Sequence, residues 1–422
     1  MTEPISQTID SEGSSSGPPD APAVRDSGPD RLGRRDWGDI WWSPLIIFVA
    51  VGILVWIAVW FGNNHLTHDP FFPFRKGVGD TWFGGFARWD AEWYRTIARE
   101  GYVYFPGVQS SVAFWPTYPV VIRLFSWAFP SIYITGTVIT VLSGATAVVL
   151  LRRWARVFVP SAAAMTAVVL LCVFPYSWYL YGPVYSDALF VATAIGAFLL
   201  IERDRYVWAG IVGILATAGR PAGLVVAVAL VLRVIERRNR ADGSTGLLRA
   251  FDPRGLRRAD APIFISWLGV GAWCTFLWIR FGDPLLFASI ESSKGWDQGA
   301  GPSTWLKFRF FDQVIHEPID WWTLGLIAHG LAVIGALLLV PRVRRRFGWA
   351  YAAYSLGLVA LPLLGTKDFF GAGRYLLGVF PCIVVAAEML VARPRVRAVL
   401  LPISLLIMLG FAVAFGRGSY LS

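Results

Sequence analysis

Two carboxylates, Asp90 and Glu92, sit in the stretch from Phe86 to Arg99, where Phe86, Trp89, Trp93 and Ile97 recur at helical spacing and form one apolar stripe. The pattern predicts a helix lying on a membrane surface. At ~100° per residue, Glu92 falls on the polar side with Arg88, Arg95 and Arg99, which balance its charge. Asp90 falls at the border of the stripe beside Ile97, with no cation on its own face. An unpaired charge there is costly, so Asp90 must be paired from elsewhere in the fold or kept for chemistry as a general base. The plain alternative is a structural ion pair. His65, His68 and Asp69 are too few to specify a zinc site without a fourth ligand, and no structural metal is expected there. Cys172, Cys274 and Cys382 each lie in an apolar run and read as packing residues, which leaves no disulfide framework. No glycine-rich phosphate loop follows a strand pattern, so a nucleotide-binding domain is absent.

The elements that must position Asp90 are membrane helices. The 422 residues are 55% hydrophobic, with a mean hydropathy of +0.54, too apolar for a soluble globule with one ordinary core. The net charge of +10 comes in short arginine clusters between apolar runs, which are topology signals and not a nucleic-acid-binding face. Candidate spans are 44–62, 133–151, 161–179, 188–201, 206–219, 221–235, 261–279, 323–340, 348–365, 375–391 and 398–415, an all-α polytopic bundle of about 11 transmembrane helices. Arg31, Arg34 and Arg35 precede the first span. Further clusters at 152–156, 203–205, 233–258, 342–346 and 393–397 follow alternate spans, so the positive-inside rule places all six in the cytoplasm. Lys76, Lys294, Lys307 and Lys367 all fall outside. The run 112–129 would invert every later loop if it crossed. It carries Pro116, Pro119 and Arg123 among aromatics, and reads as a re-entrant or interfacial helix.

Residues 1–36 read as a disordered cytoplasmic tail, 37–422 as one transmembrane domain, and the first span as a retained signal anchor. Within the domain, 63–132 and 280–322 are extracytoplasmic loops, 366–374 is a short outer loop, and 236–260 is a basic cytoplasmic loop. The N-terminus is then cytoplasmic and the C-terminus extracytoplasmic.

Six short motifs in order carry a family resemblance. Arg88-Trp89-Asp90-Ala91-Glu92-Trp93-Tyr94, Ile97-Ala98, Gly101-Tyr102 and Ala113-Phe114-Trp115-Pro116-Thr117-Tyr118-Pro119 resemble the WD, IAxxGY and AFFPLYP signature of PIG-V-type mannosyltransferases. Phe174-Pro175 with Tyr185-Ser186-Asp187-Ala188-Leu189-Phe190 is similar to that family's FP and YSExLF stretch, with Asp187 in place of the usual Glu. Arg220-Pro221-Ala222-Gly223-Leu224, Phe281-Gly282-Asp283-Pro284, and Arg374-Tyr375 with Phe380-Pro381 resemble its RPxGL, GDP and RY/FP elements. The resemblance spans about residues 80–385.

It implies a GT-C-like membrane glycosyltransferase with surface helices in the first outer loop. Such an enzyme moves mannose, with inversion, from a polyprenyl-phosphate donor to a hydroxyl on a glycolipid, lipoglycan or protein of the cell envelope. Asp90 matches the acid that acts on the acceptor. A departing phosphate needs a cation, and Arg220 and Arg374 carry the fork that suits its oxygens, with Tyr375 as an added donor. Asp187 either caps a helix or orients Arg220 or the sugar. His316 and Glu317 are a further acid/base pair, and Lys294 with Trp296 could take phosphate or a sugar face. Trp305, Trp321 and Trp322 read as interface belts. No cofactor is required by these residues; a divalent cation is an option the class leaves open. The rival readings are a transporter or lipid flippase, which should show broken helices or inverted repeats near the midplane, and a noncatalytic subunit of the same fold.

Overall fold

The computed structural model describes residues 34–68, 82–241, 246–296, 298–299, 301–318 and 321–421. Arg31, Asp69, Lys76, most of the 1–36 tail and residues 242–245 of the basic loop lie outside the described residues. The described chain is all-α. Every apolar run named above is helical, and the one extended pairing among the described residues is an isolated bridge between Val108 and Lys294. Among the described residues, five helices are long and apolar enough to cross a membrane: Trp41–His65, Ile132–Ala155, Arg258–Phe281, Trp322–Phe347 and Pro394–Gly416. The other runs form shorter helices, so length alone does not deliver the expected eleven crossings.

In chain order, α1 (Arg34–His65) is followed by two short helices, α2 (Asp90–Glu100) and α3 (Thr117–Phe125). Short connections then join α4 (Ile132–Ala155), α5 (Ser161–Val173), α6 (Asp187–Glu202), α7 (Tyr206–Thr217) and α8 (Gly223–Ala241). Beyond α9 (Leu247–Ala250), a 3-10 stretch, Arg258–Trp267, runs into α10 (Leu268–Phe281). The second long loop holds α11 (Leu286–Ser289), α12 (Pro302–Trp305) and α13 (Phe308–His316). The chain closes with α14 (Trp321–Phe347), α15 (Trp349–Gly365), α16 (Ala372–Leu377), α17 (Phe380–Val391) and α18 (Pro394–Gly416).

Within the run 112–129, α3 has 9 residues, about 14 Å of helix, and a bilayer core needs about 30 Å. It is pinned crosswise at its start, where Thr117 donates through its N–H to Ala218 O (3.0 Å) and through Oγ1 to Leu215 O (2.9 Å).

Helix α6 is the rod on which the rest is hung. Its sequence is apolar on all sides, and nearly every residue from Asp187 to Ile201 is buried, as expected for a helix surrounded by others. An acid stands at each end. At the far end, Glu202 takes the Arg233 guanidinium (2.7 and 3.0 Å) and the Tyr351 hydroxyl (2.7 Å). Arg233 also reaches Glu236 (3.0 Å), whose carboxylate accepts the Trp349 N–H (2.6 Å) and so caps α15. Arg238 with Asp260 (2.6 Å) and Arg346 with Glu388 (3.1 Å) complete a layer in which the loops bearing the arginine clusters meet.

The ends of α1 and α18 fix the opposite face. Gly62 and Gly416 let the two backbones touch: a Cβ on either would meet Val413 O or Val59 O closer than any real contact. Outward from this pair, Ile46, Val49, Ile53 and Ile57 of α1 and Ile403, Leu406 and Ile407 of α18 are exposed, an apolar surface that suits a bilayer.

Candidate active site

At the face away from the arginine layer, four charged side chains from four separate segments form one chain of ion pairs. Arg374, on α16, donates from Nη1 to Asp90 Oδ2 (3.2 Å) and from Nη2 to Asp187 Oδ2 (2.9 Å). Arg220, in the α7–α8 turn, closes on Asp187 Oδ1. Asp187 is the first residue of α6 and 1% exposed, and its carboxylate is spent on two guanidinium groups. The Arg374 guanidinium lies 4.9 Å from the Tyr179 ring and 4.8 Å from the Tyr185 ring, and Arg220 lies 5.4 Å from the Tyr375 ring.

Asp90 is aimed by a strained residue. Trp89 adopts φ +52°, unfavourable for a bulky side chain, and α2 begins directly after it. The indole Nε1 donates to Gly418 O (3.0 Å), and buried Arg88 bonds to Asn63 and to Gly416 O (3.1 Å). The α1–α18 junction thus holds the two residues before Asp90, and Tyr185 OH accepts the Asp90 N–H at 3.2 Å. This corrects the expected surface helix from residue 86. Phe86 ends a buried 3-10 turn, and Arg88 points inward, not along the polar side. Glu92 does behave as a balanced surface acid, bonded to Arg95 (2.6 Å) and to the Tyr133 hydroxyl (2.6 Å).

Two cavities meet at Asp90. One, of about 210 Å³, is lined by Asp90, Tyr94, Arg220, Glu291, Arg374 and Tyr375. The other, of about 410 Å³, has walls of Trp89, Trp93, Trp296, Trp322, Phe370 and Tyr420. Trp296 borders both and packs on Trp93 (5.8 Å) and Phe114 (5.6 Å). Burial raises the Asp90 carboxyl above the ordinary aspartate range, with Arg374 pulling the other way and the Asp187 charge adding to the rise. Burial likewise lifts Glu291 to about 7 and Tyr94 to about 12, so that phenol stays neutral and donates to Ser186 Oγ (2.9 Å).

Asp90, Arg220, Arg374 and Tyr375 therefore line one cavity, with Asp187 directly behind the arginines. Lys294, His316 and Glu317 line neither cavity. Lys294 is exposed on the Val108 bridge, His316 bonds Asp312 (3.1 Å) and Glu317 bonds Arg309 (3.1 Å) on the open side of α13. Trp322 is a cavity wall, whereas Trp305 is exposed. Asp283 accepts the Leu285 N–H (2.8 Å) in a tight turn after α10. Glu291 is the site residue that pattern reasoning missed; its one signal is an acid flanked by the apolar Leu286, Phe287 and Ile290. Among the described residues no three His, Cys, Asp or Glu side chains gather as metal ligands, and Asp90 and Asp187 face arginines instead. Among the described residues, the two acids of the site are thus engaged by guanidinium groups and are not set as a pair of cation ligands.

No family model matches the chain, and no curated protein does. Among solved structures, the chain is similar to the Archaeoglobus fulgidus oligosaccharyltransferase in its apo form (12% identity, TM-score 0.42), covering 89% of this chain and 56% of that one. It is similar also to AglB from the same archaeon in complex with an inhibitory peptide and a dolichol-phosphate (14%, TM-score 0.45; 90% of this chain, 56% of that one). A third is ArnT from Cupriavidus metallidurans bound to undecaprenyl phosphate (15%, TM-score 0.47; 83% and 60%). The chain thus spans little more than half the length of these structures.

Proposed function

We propose that this polytopic membrane protein is a GT-C-type glycosyltransferase of the plasma membrane, which takes mannose from a polyprenyl-phosphate donor and passes it to an acceptor hydroxyl on the extracytoplasmic side. The observation that carries the reading is Asp90 at the meeting point of two cavities, one lined by two arginines and the other walled by aromatic rings. The PIG-V-like motifs supply the sugar and the carrier; the acceptor is a glycolipid, lipoglycan or protein. The donor phosphate belongs with Arg220, Arg374 and Tyr375, and the acceptor sugar with the tryptophan-lined cavity, where flat amphipathic rings suit a pyranose face.

In the transfer, Asp90 accepts the proton of the acceptor hydroxyl as its oxygen bonds to the anomeric carbon. The bond from that carbon to the phosphate oxygen breaks, its electron pair leaves with the phosphate, and the configuration inverts. Arg374 and Arg220 stabilise the charge that develops on the phosphate, and Asp187 holds both in orientation. No step is routed through a metal.

The test uses membranes carrying the full chain, with radiolabelled polyprenyl-phosphate mannose and the endogenous acceptors. Asp90→Asn keeps its level in the membrane and loses transfer by at least ~10²-fold. The wild-type rate falls on acidification at a pH above the ordinary aspartate range, because the raised carboxyl takes up its proton early. Full activity of Asp90→Asn removes the mechanism. Transfer from a glucose or arabinose carrier in place of mannose corrects the sugar and leaves the mechanism standing.

A further inference from the structure

A second cavity system lies between α4, α6 and α7, apart from the candidate active site. It is a groove of about 440 Å³ whose walls are mostly leucine and small residues, running from Leu189 and Leu215 at the active-site side to Arg153 and Arg203 at the other. From Leu189 to Arg203 along α6 is about 21 Å, enough to follow an acyl chain through one leaflet of a ~30 Å core. At the upper end α3 packs across the helices, since Thr117 bonds to Leu215 O and Leu189 packs against the cluster of Phe114, Tyr118 and Ile122. None of its lining residues is shared with the two cavities at Asp90.

The charged end decides what can lie there. In this layer Arg233, Arg237, Arg238, Arg240 and Arg346 each have a carboxylate partner, and the nearby acids Glu202 and Asp204 are taken by Arg233 and Arg237. Arg153 and Arg203 have no carboxylate within ion-pair distance among the described residues. The Arg153 guanidinium lies 4.6 Å from the ring of Trp41, an aromatic at the start of a membrane-crossing stretch. Two uncompensated guanidinium groups at the mouth of an apolar groove between membrane helices match an anionic headgroup with its tail in the groove.

We propose that the α4–α6–α7 groove binds one anionic glycerophospholipid of the leaflet on the arginine-rich side, with its phosphate on Arg153 and Arg203 and one acyl chain along α6. The phosphate must sit at the arginine end, so the lipid enters from the face opposite the active site. Because α6 carries Asp187 at its other end, the bound chain would also brace the helix that orients Arg220 and Arg374.

The experiment is native mass spectrometry of the full chain in detergent, titrated with phosphatidylglycerol or phosphatidylcholine. Wild type retains one phosphatidylglycerol at roughly tenfold lower concentration than phosphatidylcholine. In the Arg153→Gln/Arg203→Gln variant that preference vanishes, while the lipid-free unfolding midpoint stays at the wild-type value and shows the fold intact. Gly196→Leu, which fills the groove where a Cβ would touch Leu150 and Val212, lowers binding of both lipids. Equal retention of the two lipids by wild type, or an undiminished preference in the double variant, overturns the proposal. So does undecaprenyl phosphate displacing phosphatidylglycerol at tenfold lower concentration, which would give the groove to an isoprenoid carrier.

Discussion

Replacing Glu291 by Gln isolates one half-buried carboxyl whose effect on stability can be worked through in sign and size. The residue reaches the smaller cavity from the turn Ile290–Ser292, and its carboxyl has no hydrogen-bond partner among the described residues. Burial raises it from 4.5 to about 7, and the Arg220 charge only partly opposes that rise. Between these two values the folded protein holds a proton that the unfolded chain has released. The stability contributed by this group is therefore fully present below pH 4.5 and is lost as the pH climbs through about 7. At about 1.4 kcal/mol for each pH unit, the whole span corresponds to about 3.5 kcal/mol, and the partial exposure of the side chain reduces it to roughly 1–3 kcal/mol. Glu291→Gln removes the titration while keeping the shape. Unfolding in detergent, followed at pH 5 and pH 8, should show the variant close to wild type at the lower pH and more stable at the higher one. A variant that is less stable than wild type at pH 8 would refute the reasoning, because it would mean that the ionised carboxylate is held by Arg220 as a favourable pair.

The other site residues give different signatures. Arg374→Lys keeps a positive charge but loses the planar fork shared by Asp90 and Asp187, so transfer should fall by ~10²-fold or more in the membrane assay, with protein level maintained. Arg374→Ala strands buried charge and should cost about 3–5 kcal/mol of stability, of which adding Asp90→Asn restores a part, a coupling that a double-mutant cycle measures. For orientation, single cysteines at exposed Ser303 and exposed Arg395, in a background free of Cys172, Cys274 and Cys382, should differ: the first reacts with an impermeant thiol reagent on intact cells, the second only after permeabilisation. Labelling at Arg395 in intact cells would invert the topology.

Much of the site was readable because it obeys short-range rules. Asp90 stands out as an acid at the edge of an apolar stripe, and Asp187, Arg220 and Arg374 each belong to a short motif at a helix end. What could not be read is that one guanidinium bridges Asp90 and Asp187, since Arg374 lies 284 positions from Asp90 and no local pattern encodes that pairing. The start of α2 was misplaced for a related reason: helical spacing continues through Phe86 and Trp89, but contacts from Gly416 and Gly418, at the far end of the chain, hold Trp89 out of helical geometry. Lys294, His316 and Glu317 carry suitable side-chain chemistry, but His316 and Glu317 are satisfied by Asp312 and Arg309 on the open side of α13, and Lys294 lies exposed at the Val108 bridge. The apolar runs were legible as helices, but α6 and α7 have only 16 and 12 residues, short of a full bilayer core; α6 is enclosed by neighbouring helices, whereas α7 leaves Val207, Trp208 and Ile211 exposed. Paired charge lies at both ends of α6 and none along its middle, a placement that suits chemistry at a surface better than the midplane site a transporter needs.

In the proposed transfer, the way Arg374 divides its hydrogen bonds would let one cation serve both a base and a leaving group. A guanidinium has five N–H groups. Arg374 directs Nε and one Nη2 N–H at Asp187 (3.3 and 2.9 Å) and one Nη1 N–H at Asp90 (3.2 Å), so one N–H on each Nη remains for a phosphate oxygen. The incoming donor then binds without dissolving the Asp187 pair that fixes the guanidinium between the two tyrosine rings. As the sugar departs, negative charge accumulates on the phosphate and draws on the field of Arg374. That added negative charge opposes the Arg374 field at Asp90, so the proton affinity of the carboxylate climbs. On this proposal Asp90 would become a stronger base as the acceptor hydroxyl gives up its proton, and a single arginine would tie deprotonation of the nucleophile to departure of the leaving group.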